Sequence, residues 1–388
     1  MPIKPSQIHA ILHQKRDDFT RFDRSALTVL QIYRTAWQDL SQQPLEVLWE
    51  WFSTRSGSVG ARLLEDFDSL DTGIKRAQLQ WKNREASMAW VKSQLSDITT
   101  FAVDGSQIFP SKDISIPIAL VQIGWFENPH AADGRYVKDI AMDVMTPADL
   151  HVWDPSQPVE RRVNIRRFQM EVERLISYIE QVKDPERCLV FFDGSLVLTF
   201  AEAFEEAARN AYLNPVLKLL RASEKHRVPL VGYIDTSYAH DLTTLLEHYQ
   251  GLEPATTIHD AQLLNRLMQW GDCTPLFRCD RSGILSDYQE QSERLGFVYL
   301  KTNQSYPARL EMPLWMHDAG MVDRVIDWVR AEVVVGGGYP YAIETADQTA
   351  VLQSLDRQVF FRVLQEWAEQ ADLNLRLSRK MVSKVRRR

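Results

Sequence analysis

Near residue 97 the chain changes from helical to strand periodicity, and that change limits the folds open to it more than any other feature. Beyond it lie short apolar runs of strand length, at residues 100–103, 116–125, 136–142, 188–192, 230–234 and 296–300. The first three follow one another across short gaps, and a long amphipathic stretch, 162–182, separates them from the fourth. Further amphipathic stretches cover 196–222 and 317–334. Strands in succession followed by alternating helix and strand predict an α/β fold: a mixed sheet of three antiparallel strands extended by parallel ones, with flanking helices.

Before the change, residues 4–95 have helical spacing, with apolar positions at Ile8, Ile11 and Leu12, then Leu27, Leu30, Ile32 and Trp37, then Leu45, Leu48, Trp49 and Trp51. Two to four helices in a hairpin or small bundle account for them. Three glycines, Gly336 to Gly338, precede a last helix predicted over 342–372. The expected organisation is thus a helical N-terminal region (1–96), an α/β domain (97–377) and a basic tail (378–388). With 388 residues, 45% of them hydrophobic, the chain can bury a large core, which excludes disorder as its main state. No apolar run is long enough to span a bilayer and the first residues lack an apolar signal core, so a soluble cytoplasmic protein with no membrane partner is expected. The cysteines, Cys188, Cys273 and Cys279, are odd in number and form no CxxC pair, which excludes a disulfide framework and a thiolate zinc site and leaves them as buried thiols.

The net charge of −7 argues against a surface that coats nucleic acid by charge alone. Its distribution is uneven. The last fifteen residues hold seven basic side chains, Arg386 and Arg387 among them, and no acid. Setting those seven aside leaves 38 basic residues against 52 acids, a balance of −14 for the rest. The tail suits a phosphate backbone, or equally a solvated helix end with cations near its C-terminus.

Two segments repeat one chemical arrangement: Phe101-Ala102-Val103-Asp104-Gly105-Ser106 and Val190-Phe191-Phe192-Asp193-Gly194-Ser195. Each is an apolar strand ending in an acid, followed by a glycine that lets another backbone or a ligand come close. Asp-Gly alone is an ordinary turn dipeptide; two apolar strands both ending in Asp-Gly-Ser are harder to assign to chance. A carboxylate there opens into the crevice where ligands of open α/β sheets bind. Pro340 suits a helix start, which puts Asp347 within the first two turns. On the helix before the second motif, Phe168, Val172, Leu175, Ile176 and Ile179 form a buried face that Glu171 and Glu173 flank, and Glu171 is the preferred candidate. Carboxylates gathered from several elements repel one another unless a cation sits among them. Hard oxygen donors suit Mg²⁺ or Mn²⁺ and not zinc, and two such ions form the clamp used for in-line phosphodiester cleavage.

In order along the chain, AVDGS, FFDGS, YPARLEMPLW (306–315) and GGGYPYAIETADQTA resemble the NurA nuclease family over residues 97–377. The resemblance implies a ribonuclease-H-like fold, manganese as cofactor, digestion of DNA from 5′ ends with cutting of single strands, and a homodimer working with the hexameric translocase HerA. It matches Asp104 and Asp193 to the family's metal-binding aspartates, Glu171 to the helical Glu, Asp347 to an Asp or His of the Tyr-Pro helix, and Tyr339 to the same motif. One departure stands out: many members carry a Lys where this chain has Asp235-Thr236-Ser237. Lys301 or Arg309 is then the expected phosphate contact, with core-edge packing as the alternative for both. Two other readings compete, a non-catalytic scaffold or clamp for such a translocase and an actin-like ATPase or sugar kinase. The second lacks the usual Asp-x-Gly spacing, and only Gly336 to Gly338 represent its Gly-Gly pairs. No Walker A sequence is present, so DNA movement has to be powered by another protein.

Overall fold

The structure is a computed structural model that describes residues 3–67, 70–151, 158–376 and 378; Arg386 and Arg387 lie outside the described residues. Three helices open the chain, α1 (Pro5–Gln14), α2 (Arg16–Ser41) and α3 (Leu45–Ser53), followed by strand β1 (Gly60–Leu63) and helix α4 (Arg84–Leu95). A meander of β2 (Thr99–Ile108), β3 (Ala119–Asn128) and β4 (Val137–Met145) comes next, then α5 (Val159–Ile179), β5 (Cys188–Asp193), α6 (Glu206–His226) and β6 (Leu230–Ile234). The remainder comprises α7 (Asp241–Gln250), α8 (Asp260–Leu264), β7 (Phe277–Asp280), β8 (Leu295–Leu300), β9 (Ala308–Pro313), α9 (Trp315–Asp318), α10 (Val322–Val335), α11 (Tyr341–Ala350) and α12 (Ser354–Gln370). Among the described residues no helix is long and apolar enough to cross a membrane.

The chain divides into two compact units, the first comprising 1–80, 234–286 and 292–310 and the second 81–233, 287–291 and 311–388. In the second unit the strand order is β6-β5-β2-β3-β4. β2 pairs antiparallel with β3 and β3 with β4, whereas β5 joins β2, and β6 joins β5, in parallel. A three-strand meander extended by two parallel strands is the ribonuclease-H-like plan that the sequence led us to expect. Residues Cys188 to Phe192 of β5 are all buried, as a strand covered on both faces requires. Helix α5 lies on the face of β2 that carries Phe101, whose ring stacks on Tyr178 at 3.7 Å between centroids.

In the first unit β1 pairs antiparallel with β7, and β7 with β8. Its core is aromatic: Trp37, from α2, meets Phe67 and Phe277, and Phe277 stacks on Phe297. β1 lies inside the stretch read as helical almost throughout. Its four residues are too few to establish a period of two. The predicted last helix is two helices, because the chain leaves α11 at Val351 and Gln353 caps α12 through a reciprocal bond with Asp356. All three cysteines are buried, and among the described residues they form no disulfide.

Candidate active site

Asp104 and Asp193 come from the adjacent parallel strands β2 and β5. Their ladder ends with Val103 opposite Phe192, so the next residue on each strand is an aspartate and the two stand side by side. Asp193 is exposed and accepts a 2.9 Å hydrogen bond from the Tyr339 hydroxyl, which comes from the loop leading into α11. The Tyr339 ring is held edge-on against Tyr233, the residue paired with Asp193 across β5 and β6.

Asp347, on the second turn of α11, shares a side-chain hydrogen bond with Asp104. What brings α11 this close is Gly124 of β3, directly opposite Asp104 in the ladder. A Cβ at Gly124 would fall 2.6 Å from the Ala350 nitrogen, so only glycine lets the end of α11 rest on the sheet. The other end is tied by Glu332. Its fully buried carboxylate accepts the Ala342 N–H at 2.8 Å and the Thr100 hydroxyl at 2.9 Å, with His130 Nε2 3.2 Å away. One buried acid thus joins the start of the helix carrying Asp347 to the start of the strand carrying Asp104.

Glu171 approaches from α5, on the opposite face of the sheet. An ideal Cβ on Gly105 would overlap its Oε1 and lie 2.7 Å from Arg167 Cγ, so the glycine after Asp104 makes room for both side chains. Arg167 donates to the Gly105 carbonyl at 3.1 Å and stands 3.2 Å from Glu171 Oε1. That oxygen is buried and accepts no hydrogen bond. Glu173 is exposed, near Arg166, which separates the two candidate glutamates. The turn after Asp193 is anchored from β9, where buried Glu311 accepts the Ser195 hydroxyl at 2.8 Å and the Val197 N–H at 3.1 Å.

The electrostatics follow from this crowding. Burial pushes the Asp104 carboxyl up to about 6, with Asp347 and Asp193 adding to the rise. Burial likewise raises Glu171 to about 8, against the pull of Arg167 and with Asp104 and Asp193 contributing. Both groups hold a proton more tightly than an ordinary carboxyl, first because burial penalises the charged form and then because of the nearby acids. Among the described residues no group of three His, Cys, Asp or Glu side chains is already arranged to hold a metal ion. The donors nevertheless fit a hard divalent cation. They are carboxylate oxygens from four elements, one of them buried without a hydrogen bond and two sharing a hydrogen bond that only a retained proton can make.

Lys301 and Arg309, expected to meet phosphate, are committed to the interior of the first unit. The Arg309 guanidinium is 1% exposed, bonded to Asp241 at 2.8 Å and stacked over Phe297 at 3.8 Å. Lys301 Nζ donates to Asn265 Oδ1 and the Ser305 carbonyl, and burial lowers its pKa. Neither is placed to reach a phosphate. The cation that does stand beside the carboxylates is Arg167, which sequence reasoning missed; its signal was the spacing of four from Glu171 on one helix face. Glu332 and Glu311 were missed as well, although an acid inside the apolar run Trp328-Val329-Arg330-Ala331-Glu332-Val333 hints at a buried partner.

None of the curated protein sequences matches the chain. Among solved structures, the catalytic domain of human endonuclease V is similar over 73% of this chain and 96% of its own, at 14% identity and a TM-score of 0.32, a likeness too loose to carry any argument. The NurA domain model matches residues 98–352, a span that contains Asp104, Glu171, Asp193, Tyr339 and Asp347, and with well over half its length inside that match the chain belongs to the NurA domain family of nucleases.

Proposed function

We propose that this protein is a metal-dependent deoxyribonuclease in which Asp104, Asp193, Asp347 and Glu171 hold Mn²⁺ or Mg²⁺. The observation that supports it most is the gathering of these acids at one sheet edge, two of them with pKa values raised to about 6 and about 8 by burial and mutual repulsion. Such a cluster is costly unless a cation offsets it. When bound, the ions activate a water and stabilise the leaving oxygen of an in-line displacement. The chain's own part is to position and to manage protons. Tyr339 fixes the rotation of the Asp193 carboxylate by donating to Oδ1. Asp104 and Asp347 would release the proton they share in order to hold a cation, and Glu171, kept from water under Gly105 and Arg167, would likewise have to be deprotonated to serve as a ligand. Arg167 offers a guanidinium beside the carboxylates for the incoming phosphate.

On the family's pattern the activity is 5′–3′ exonuclease with single-strand endonuclease, serving the processing of double-strand breaks. The working form is a cytoplasmic homodimer docked on a HerA-type hexamer. The test is end-labelled single-stranded DNA with and without Mn²⁺, run beside Asp104→Ala and Asp193→Ala; cleavage should require the metal and vanish in both variants while the fold is kept. A second reading, a non-catalytic clamp for the translocase, draws support from Asp235-Thr236-Ser237, where many members carry a Lys, and from the burial of Lys301 and Arg309. It expects no cleavage with Mn²⁺ and an unaltered stimulation of the translocase by Asp104→Ala.

A further inference from the structure

We propose that the first unit carries a separate contact for single-stranded DNA, a stacking platform made of Tyr238, His259 and Tyr306 with Arg34 and Arg266 beside it. The proposal rests on the nuclease reading above but uses none of its residues. Tyr238 is 73% exposed and Tyr306 37%, whereas His259 between them is 7% exposed. The His259 ring meets Tyr238 at 5.2 Å and Tyr306 at 5.3 Å between centroids, edge to face in both cases. A buried ring therefore acts as a wedge that holds two tyrosines upright with open faces. Burial, with the nearby His240, lowers His259 to about 4, so the wedge is neutral at physiological pH. Among the described residues neither tyrosine hydroxyl has a hydrogen-bond partner, which leaves each ring with an apolar face and an uncommitted polar edge, the combination a nucleobase matches.

The cations come from α2 and from the chain just after α8. His259 precedes this helix and Arg266 follows it two residues beyond Leu264. Arg266 thus stands seven positions along the chain from the buried ring, across one short helix. Arg34, from α2, stands beside Arg266: burial and that like charge lower its pKa, and its Nε is buried without a hydrogen-bond partner. Among the described residues no carboxylate pairs with either arginine. In a chain with a net charge of −7, two guanidinium groups left to repel each other call for an anion from outside. The buried Lys301 connects the two ends of the platform, since it donates both to Asn265, next to Arg266, and to the carbonyl of Ser305, next to Tyr306. Its role is to position the platform.

Rings beside cations favour single-stranded nucleic acid over an apolar peptide. The test is binding of the full chain, in chelator so that nothing is cleaved, to a labelled oligothymidylate, the matching oligouridylate and an abasic strand of equal length. Tyr238→Ala and Tyr306→Ala should each weaken oligothymidylate binding about 5- to 100-fold and leave abasic-strand binding unchanged, with the Phe variants close to the parent. Arg266→Ala should weaken all strands and reduce the salt slope by about one. Unchanged affinity in both Ala variants with intact thermal unfolding, an equal loss on the abasic strand, or no binding by the parent overturns the platform. Tighter binding of the uridylate assigns it to RNA and overturns the DNA assignment. Metal-dependent cleavage by the same preparations reads the nuclease proposal separately.

Discussion

Glu171 and Asp104 keep protons that exposed carboxyls give up near pH 4, and this gives the site a pH signature of its own. The folded chain binds more protons than the unfolded chain between about pH 4 and the folded values of about 6 and about 8. The stabilising contribution is therefore complete below pH 4 and is lost as pH rises through the folded values. Calorimetry of the metal-free protein should show a melting temperature that falls from pH 5 to pH 9, a fall reduced in Glu171→Gln, which should be the more stable protein at pH 8. Added Mn²⁺ should raise the parent's melting temperature more at pH 8 than at pH 6, since the ligands must deprotonate, and should not raise that of Asp104→Asn. A parent curve that is flat from pH 5 to pH 9 would remove the crowding argument. Arg167→Ala should lower kcat/KM for single-stranded DNA about 10- to 100-fold with partial recovery in Arg167→Lys, as befits a charge that meets phosphate. The places of the four acids on their elements were legible because each ends an apolar strand or sits on a helix with a clear buried face. For Lys301 and Arg309 the structure shows interior packing, the alternative the sequence left open; it could not be settled there for Arg309, because Asp241, which holds it, is 68 positions away and nothing local announces it.

At the scale of elements, the site depends on how closely α11 meets the sheet. Gly124→Ala should cost about 1–3 kcal/mol in urea unfolding, because the new methyl meets helix backbone and not a yielding side chain. It should lower cleavage further than stability alone explains, by moving Asp347 away from Asp104. Glu332→Ala should cost about 2–3 kcal/mol, since Thr100 and the Ala342 N–H lose a charged partner inside the core. The long strands were legible where one or both faces are buried over five residues or more, and β6 was read with its bounds, 230–234. β1 and β7, of four residues each, were not, because pairing across more than 200 positions and not local pattern makes them strands. The break between α11 and α12 was missed because Val351 and Leu352 continue the apolar spacing across it.

For the molecule as a whole, charge and assembly go together. Without its last fifteen residues the chain sums to −14, so the proposed nuclease would need local help to capture DNA, from those residues, a paired subunit or a feeding translocase. Deleting residues 381–388 should weaken DNA binding and flatten its salt dependence while sparing metal-dependent cleavage of a short strand; equal affinity and slope would exclude the tail from capture. The composition of the two compact units was not legible in the sequence, since the first is assembled from three separate stretches and only the contacts among them define it. The central claim is that the acids at the ends of β2 and β5 are a metal-dependent nuclease centre. It is tested most directly by the cleavage of 5′-labelled single-stranded DNA by the parent and by Asp104→Asn at matched Mn²⁺ concentrations. The account expects cleavage by the parent that stops in chelator and a variant reduced to the uncatalysed background with its fold intact. Parent activity in chelator, or equal turnover by Asp104→Asn, would contradict it.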